Sequence, residues 1–167
     1  IDTLTVSNQN QNVAFSDSTA STLKLGLDTV GTSTANITVD LGKTVAAKAT
    51  TGVFTLNNAY VTLDSTNSDV LTTLTVAASG TNKLGLADSG ATLTSVTVTG
   101  AGALDLSATA LTGALTKFDA SASTGAIKAD IQSTKAVTVM TGSGADVIDM
   151  DTAVQAKSSV SLGAGDD

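Results

Sequence analysis

Apolar and polar residues alternate in short runs along the whole chain, with Gly, Asn, Asp, Ser or Thr between the runs. Such runs occur at Thr3–Val6, Leu23–Leu27, Ile37–Leu41, Val53–Leu56, Tyr60–Leu63 and Leu71–Val76. Others follow at Lys83–Leu86, Val96–Thr99, Leu104–Leu106, Ala126–Ile131, Val137–Met140 and Val160–Leu162. A period of two over so few residues predicts short strands with one buried face. No window of ten or more residues has the 3.6 period of an amphipathic helix. Ser107–Leu115 and Asp151–Lys157 are the two stretches that admit a helical turn.

Two longer regularities organise these strands. Lys24-Leu25-Gly26-Leu27 recurs as Lys83-Leu84-Gly85-Leu86, an offset of 59 residues, and Ile37-Thr38-Val39 recurs as Val96-Thr97-Val98 at the same offset. In the second half the period is shorter. Short segments starting at Val96, Thr116, Val137 and Val160 begin about 20–23 residues apart, each followed by small or Gly residues and often by Asp. A rung of that size predicts an all-β fold, a β-solenoid in which each turn buries its inward side chains against its neighbours. The division is a solenoid body over 1–134, carrying the internal repeat of about 24–39 and 83–98, and terminal rungs over 135–167, cut inside a repeat.

Composition narrows the chemistry. The chain holds 30 Thr, 25 Ala and 18 Ser but no Glu, Arg, His, Pro, Cys or Trp, and its net charge is -7. Without Cys or His there is no zinc finger, disulfide framework or Ser-His-Asp triad. Without Arg, and with eight scattered Lys, the chain lacks the basic footprint of nucleic-acid binding. No apolar run approaches the ~18–20 residues of a spanning helix, so no membrane insertion is expected. Ile1 opens no charged or apolar targeting segment, and the chain reads as a fragment.

The stretch that carries chemistry is Thr141-Gly142-Ser143-Gly144-Ala145-Asp146-Val147-Ile148-Asp149. It fills four of the five specified places of the pattern G-G-x-G-x-D-x-U-x, in which U is a large apolar residue; Thr141 stands at the first Gly. The pattern starts again at Leu162-Gly163-Ala164-Gly165-Asp166-Asp167, with Asp167 one rung after Asp146. Ca²⁺ takes 6–8 oxygens at about 2.3–2.6 Å, and Gly-rich turns can aim several carbonyls inward with little steric cost. One turn gives half a shell, so the next rung must complete it. Gly142, Gly144, Asp146, Gly163, Gly165 and Asp167 are therefore the candidate metal residues, Ca²⁺ is the cofactor, and Ile148 turns inward to anchor the loop.

These repeats resemble those of RTX proteins, the calcium-binding β-roll proteins exported by type I secretion. Ile1-Asp2-Thr3-Leu4-Thr5-Val6 is similar to the I-E-T-x-x-V segment of RTX-bearing surface-layer proteins of Gram-negative bacteria. Leu115-Thr116-Lys117-Phe118-Asp119-Ala120-Ser121 is similar to the L-T-x-F-D-A-S segment preceding their repeat blocks. The resemblance implies a β-roll at the carboxyl end and a structural, non-enzymatic role in a secreted surface layer (S-layer) on the cell. Structural Ca²⁺ would drive folding and self-association into a two-dimensional lattice, with any lipopolysaccharide anchoring outside this fragment. The alternative is a calcium-stabilised adhesin or stalk module that binds a glycan or host surface.

Other residues read more plainly. Asp149 and Asp151 fit an exposed strand face, or auxiliary calcium ligands, better than acid–base catalysis. The Thr-x-Thr pairs at Thr3, Thr73, Thr92 and Thr97 lack a constant spacing, which argues against an ordered water-binding face. Phe15, Phe54, Tyr60 and Phe118 read as core plugs at rung ends, and Lys24 and Lys83 as surface charges that discourage strand aggregation. All eight Asn lie at or before Asn82, an asymmetry for which the sequence supplies no reason.

Overall fold

A computed structural model describes residues 3–15, 19–41, 48–64, 70–87, 91–150 and 154–167. Among these residues there are strands, turns and bends but no α-helix. The named strands pair in parallel throughout. The fold is a parallel β-solenoid of about six turns. Period-two alternation with β-branched residues forms the strands, and stacking identical strand directions rung on rung gives every inward residue a neighbour above and below.

One stack contains β1 (Thr3–Gln9), β3 (Thr22–Val30), the first half of β5 (Thr51–Asp64), β6 (Thr73–Ser79), β8 (Ser95–Gly100), β11 (Lys117–Ser123), β13 (Thr138–Met140) and β15 (Ser159–Ser161). The second contains β2 (Val13–Ala14), β4 (Ile37–Asp40), the second half of β5, β7 (Thr81–Leu86), β9 (Ala103–Asp105), the start of β12 (Ile127–Ser133) and β14 (Val147–Asp149). A short third face pairs β10 (Leu111–Gly113) with the end of β12. β5 turns from the first stack into the second at Asn58, whose φ is 49°.

Inward side chains form columns along the solenoid axis. Leu25, Phe54, Val76 and Val98 stack in register, as do Leu74, Val96, Phe118, Val139 and Val160. All but Val160, on the last rung, are buried. Each fully buried Leu, Val or Phe contributes about 1.5–3 kcal/mol, so the core is strong although no single layer is thick. The rung size read from the second half corresponds to this stacking, but the register runs Val96–Phe118–Val139–Val160, so the segments beginning at Thr116 and Val137 start two places ahead of it. Thr51, Thr73, Ser95 and Lys117 share one column on the outer face at successive 22-residue steps.

The two Lys-Leu-Gly-Leu segments of the internal repeat lie in different stacks, Lys24 on β3 and Lys83 on β7, so the 59-residue offset relates strands that do not superpose along the axis. Other expectations need correction. Ser107–Leu115 forms a turn and β10 instead of helix, because the parallel neighbour β12 supplies the backbone partners. Most of Asp151–Lys157 forms no helix; 151–153 lie outside the described residues. Phe54 and Phe118 are fully buried in the core, within β5 and near the start of β11, whereas Tyr60 faces outward in the column of Lys83.

Threonine does have a constant spacing, at positions of which only Thr94 belongs to a Thr-x-Thr pair. Thr72, Thr94 and Thr116 each donate Oγ1 to the carbonyl of the Thr 22 residues earlier, at 3.2, 3.0 and 3.1 Å. The first of these acceptors is Thr50, so four threonines form a ladder along one edge of the first stack.

Candidate functional site

The two stacks meet at a corner whose chemistry changes along the chain. In the early rungs the left-handed residue is Asn8, Thr29 or Asn58, with φ of 51°, 53° and 49°. Asn tolerates this region because its short polar side chain bonds locally. Asn58 Oδ1 accepts the Thr81 N–H of the next rung at 3.1 Å. In the later rungs glycine pairs take over. Gly102 precedes Gly125, Gly144 and Gly165 in one stacked column, and Ser123 precedes Gly142 and Gly163 in another. The concentration of Asn in the first half thus has a structural counterpart in this exchange of amide corners for glycine corners.

The glycines are required by close approach. A Cβ at Gly142 would strike the Ser123 carbonyl oxygen, and one at Gly163 would strike the Gly142 carbonyl oxygen. Gly163 also has φ +81°, which favours glycine on its own account. The Gly142 carbonyl accepts the Ala164 N–H at 2.9 Å, so successive glycine turns nest directly. Thr141, standing at the first Gly of the pattern, is buried and donates Oγ1 to the Leu162 carbonyl of the next rung. The substitution therefore exchanges a flexible backbone for an inter-rung hydrogen bond.

Asp146 sits just beyond this turn and is only 1% exposed. Its Oδ1 accepts the Ile127 N–H of the preceding rung at 2.8 Å, and its own N–H donates to Asp167 Oδ1 of the following rung at 3.0 Å. Oδ2 is buried without a hydrogen-bond partner, and it is the one such side-chain atom among the described residues. Asp146 has no ion pair among the described residues. A carboxylate that keeps an unsatisfied oxygen out of water is costly unless a cation or donor meets it.

Gly142, Gly144 and Asp146 thus lie in one corner, and Gly163, Gly165 and Asp167 in the corner stacked next to it. Ile148 packs partly buried against the core, beside Ala129. Asp149 faces outward, beside Asp130; Asp151 lies outside the described residues. No group of three acidic side chains gathers into a ready-made cluster among the described residues. A cation held here would draw on Asp146 Oδ2, the Asp167 carboxylate and carbonyls of the two glycine turns. That donor set is all oxygen, which suits a hard cation such as Ca²⁺.

One residue of this corner escapes sequence reasoning. Asn82 occupies the same column as Asp146, through the register Asn82–Leu104–Ile127 and then the β12–β14 pairing. Residue type runs from Asn to Leu to Ile to Asp along that column, and the signal that could expose it is the Gly two places before each member, at Gly80, Gly102, Gly125 and Gly144. Asn82 is 2% exposed, yet its amide is fully used. Oδ1 accepts the Ala59 N–H at 3.0 Å, and Nδ2 donates to the Ser79 and Ala103 carbonyls at 2.8 and 3.1 Å.

No family model matches the chain, and no match was found among curated proteins or solved structures.

Proposed function

We propose that this chain is a structural module of a secreted bacterial surface layer, with its terminal rungs stabilised by calcium. The carrying observation is the buried Asp146 carboxylate, whose Oδ2 has no partner and whose neighbours are stacked glycine turns and Asp167. Bound Ca²⁺ would supply the positive charge and oxygen-seeking coordination that this carboxylate lacks. Asp146 would hold it, Asp167 would close it from the next rung, and the glycines would let the turns approach. Sites of extracellular modules have Kd of ~10⁻⁴–10⁻³ M, so they fill outside the cell and empty inside. Binding only to the folded form converts that difference into stability. The resemblance of Ile1–Val6 and of Leu115–Ser121 to RTX surface-layer segments supports assembly into a lattice, and the uniform solenoid supports a structural role.

The test is sedimentation velocity and circular dichroism of the chain in EGTA, in CaCl₂ and in MgCl₂. Under this reading Ca²⁺ alone raises the melting temperature and drives association, and Asp146→Ala loses the first effect. A chain that stays monomeric and melts identically in all three buffers defeats the reading.

An adhesin or stalk module is the second reading. An open hollow of about 270 Å³ runs over the outer face of the second stack, lined by Thr81, Ala103, Asp105, Ala126, Lys128 and Val147 among others. Binding of a glycan by a chain that remains monomeric in Ca²⁺ would favour it.

A further inference from the structure

The column containing Asn82 and Asp146 presents one corner closed in two ways. At Asn82 a single side chain joins three rungs, accepting from Ala59 and donating to Ser79 and Ala103. At Asp146 the accepting half is the same: Oδ1 takes the Ile127 N–H at 2.8 Å, as Asn82 Oδ1 takes the Ala59 N–H at 3.0 Å. The donating half differs. A carboxylate has no N–H, and Oδ2 is the atom left without a partner. Asn and Asp are nearly isosteric, so the difference between the two corners is one of charge and hydrogen count, not of shape. Between them the column holds Leu104 and Ile127, which bring no polar group to satisfy and are 1% exposed.

We propose that the residue in this column sets whether a rung depends on a cation: the Asn82 amide takes the place of the metal, so the solenoid through β12 holds without cation and cation dependence begins at Asp146. The inference rests on the calcium reading of Asp146 and adds its extent and its determinant. Without cation, the rungs carrying β13, β14 and β15 loosen while the body keeps its structure. Exchanging the Asp146 carboxylate for an amide restores the missing donors and removes the need for metal.

Hydrogen–deuterium exchange of the full 167-residue chain, resolved by segment, reads this directly. At Ca²⁺ of about ten times Kd, the amides of β13–β15 exchange roughly 10-fold more slowly than in EGTA, while Phe54, Val76 and Val98 are unchanged. Asp146→Asn shows slow exchange at β13–β15 in EGTA, with no further effect of Ca²⁺. Asn82→Asp loses protection in β7 and β9 in either buffer, because its new carboxylate faces Leu104 where Asp146 has Asp167. Equal loss of protection in body and end without Ca²⁺ overturns the inference, as does an Asp146→Asn chain that still needs Ca²⁺ or an Asn82→Asp chain as protected as the wild type. A wild type indifferent to Ca²⁺ at β13–β15 overturns the calcium reading itself and this inference with it. Calcium dependence in both the wild type and Asp146→Asn overturns the inference alone.

Discussion

The backbone N–H of Asp146 donates to Oδ1 of Asp167, 3.0 Å away and 21 residues later in the chain. Each carboxylate of the corner thereby caps the backbone of the rung before it, since Asp146 Oδ1 in turn accepts from Ile127. The two acids are consecutive members of one ladder, and the last rung is tied on by a side chain as well as by strand pairing. Under the proposed calcium reading, Asp167→Ala lowers Ca²⁺ affinity about 10-fold or more, in the range seen when a supporting partner of a metal site is removed. Isothermal titration calorimetry checks it; unchanged affinity would confine binding to Asp146 and the carbonyls.

Gly142→Ala is expected to unseat the terminal rungs, because the added methyl meets the Ser123 carbonyl oxygen, a backbone atom with little room to retreat. Ser143→Ala, one residue on and exposed, should leave the melting temperature within a degree or two, the ordinary outcome for a surface site. Thermal melts of the pair separate the two cases, and equal melting would remove the close-packing argument.

Phe118→Ala removes a fully buried ring stacked between Val96 and Val139. The expected cost is about 3–5 kcal/mol, from lost transfer energy and the cavity left behind. Urea unfolding measures it. A loss below about 1 kcal/mol would mean that the column collapses onto the gap.

The threonine ladder is worth less. Thr94→Val keeps the shape and deletes the 3.0 Å bond from Oγ1 to the Thr72 carbonyl, which still accepts the Thr94 N–H at 2.8 Å. Since no acceptor is orphaned, the expected cost is about 0.5–1 kcal/mol. A larger loss in urea unfolding would show the ladder acting as a unit.

Asp119 supplies a pH dependence. Its Oδ1 accepts the Ser121 hydroxyl at 2.6 Å and the Ser121 N–H at 3.1 Å, and Lys117 Nζ lies 3.0 Å from Oδ2. The Ser121 hydroxyl chiefly, with help from Lys117, holds the carboxyl below its ordinary value against the opposing effect of burial. A folded value below the unfolded one means that the contribution is complete above the ordinary carboxylate range and is lost as pH falls through the depressed folded value. Ser121→Ala should raise the Asp119 midpoint in a carboxyl NMR titration and narrow that window. An unmoved midpoint would assign the depression to Lys117 and the Ser121 backbone N–H.

The sequence by itself determined the strands and their stacking. Alternation placed β1, β3, β4, β6, β7, β8, β12, β13 and β15, because the inward face of a strand must be apolar at every second residue; the segments starting at Val96, Thr116, Val137 and Val160 showed the size of the rung, but Thr116 and Val137 stand two places ahead of the register Val96–Phe118–Val139–Val160. The glycine-aspartate pattern placed Asp146 and Asp167 on adjacent rungs for the same reason: both the turn and the rung have fixed lengths. Only the tertiary structure decided which similar segments superpose. The two Lys-Leu-Gly-Leu copies are alike locally yet lie in different stacks, since their pattern specifies a strand without specifying its face of the solenoid. β2, β10 and β14 are too short to show a period, and their partners on neighbouring rungs define them. Asn82 and Asp146 share a local context, Ser79-Gly80-Thr81-Asn82 and Ser143-Gly144-Ala145-Asp146, but that likeness alone does not say that the two stand in one column. Their common column, and the contrast between a satisfied amide and an unsatisfied carboxylate, exist only once the parallel register sets one rung upon another.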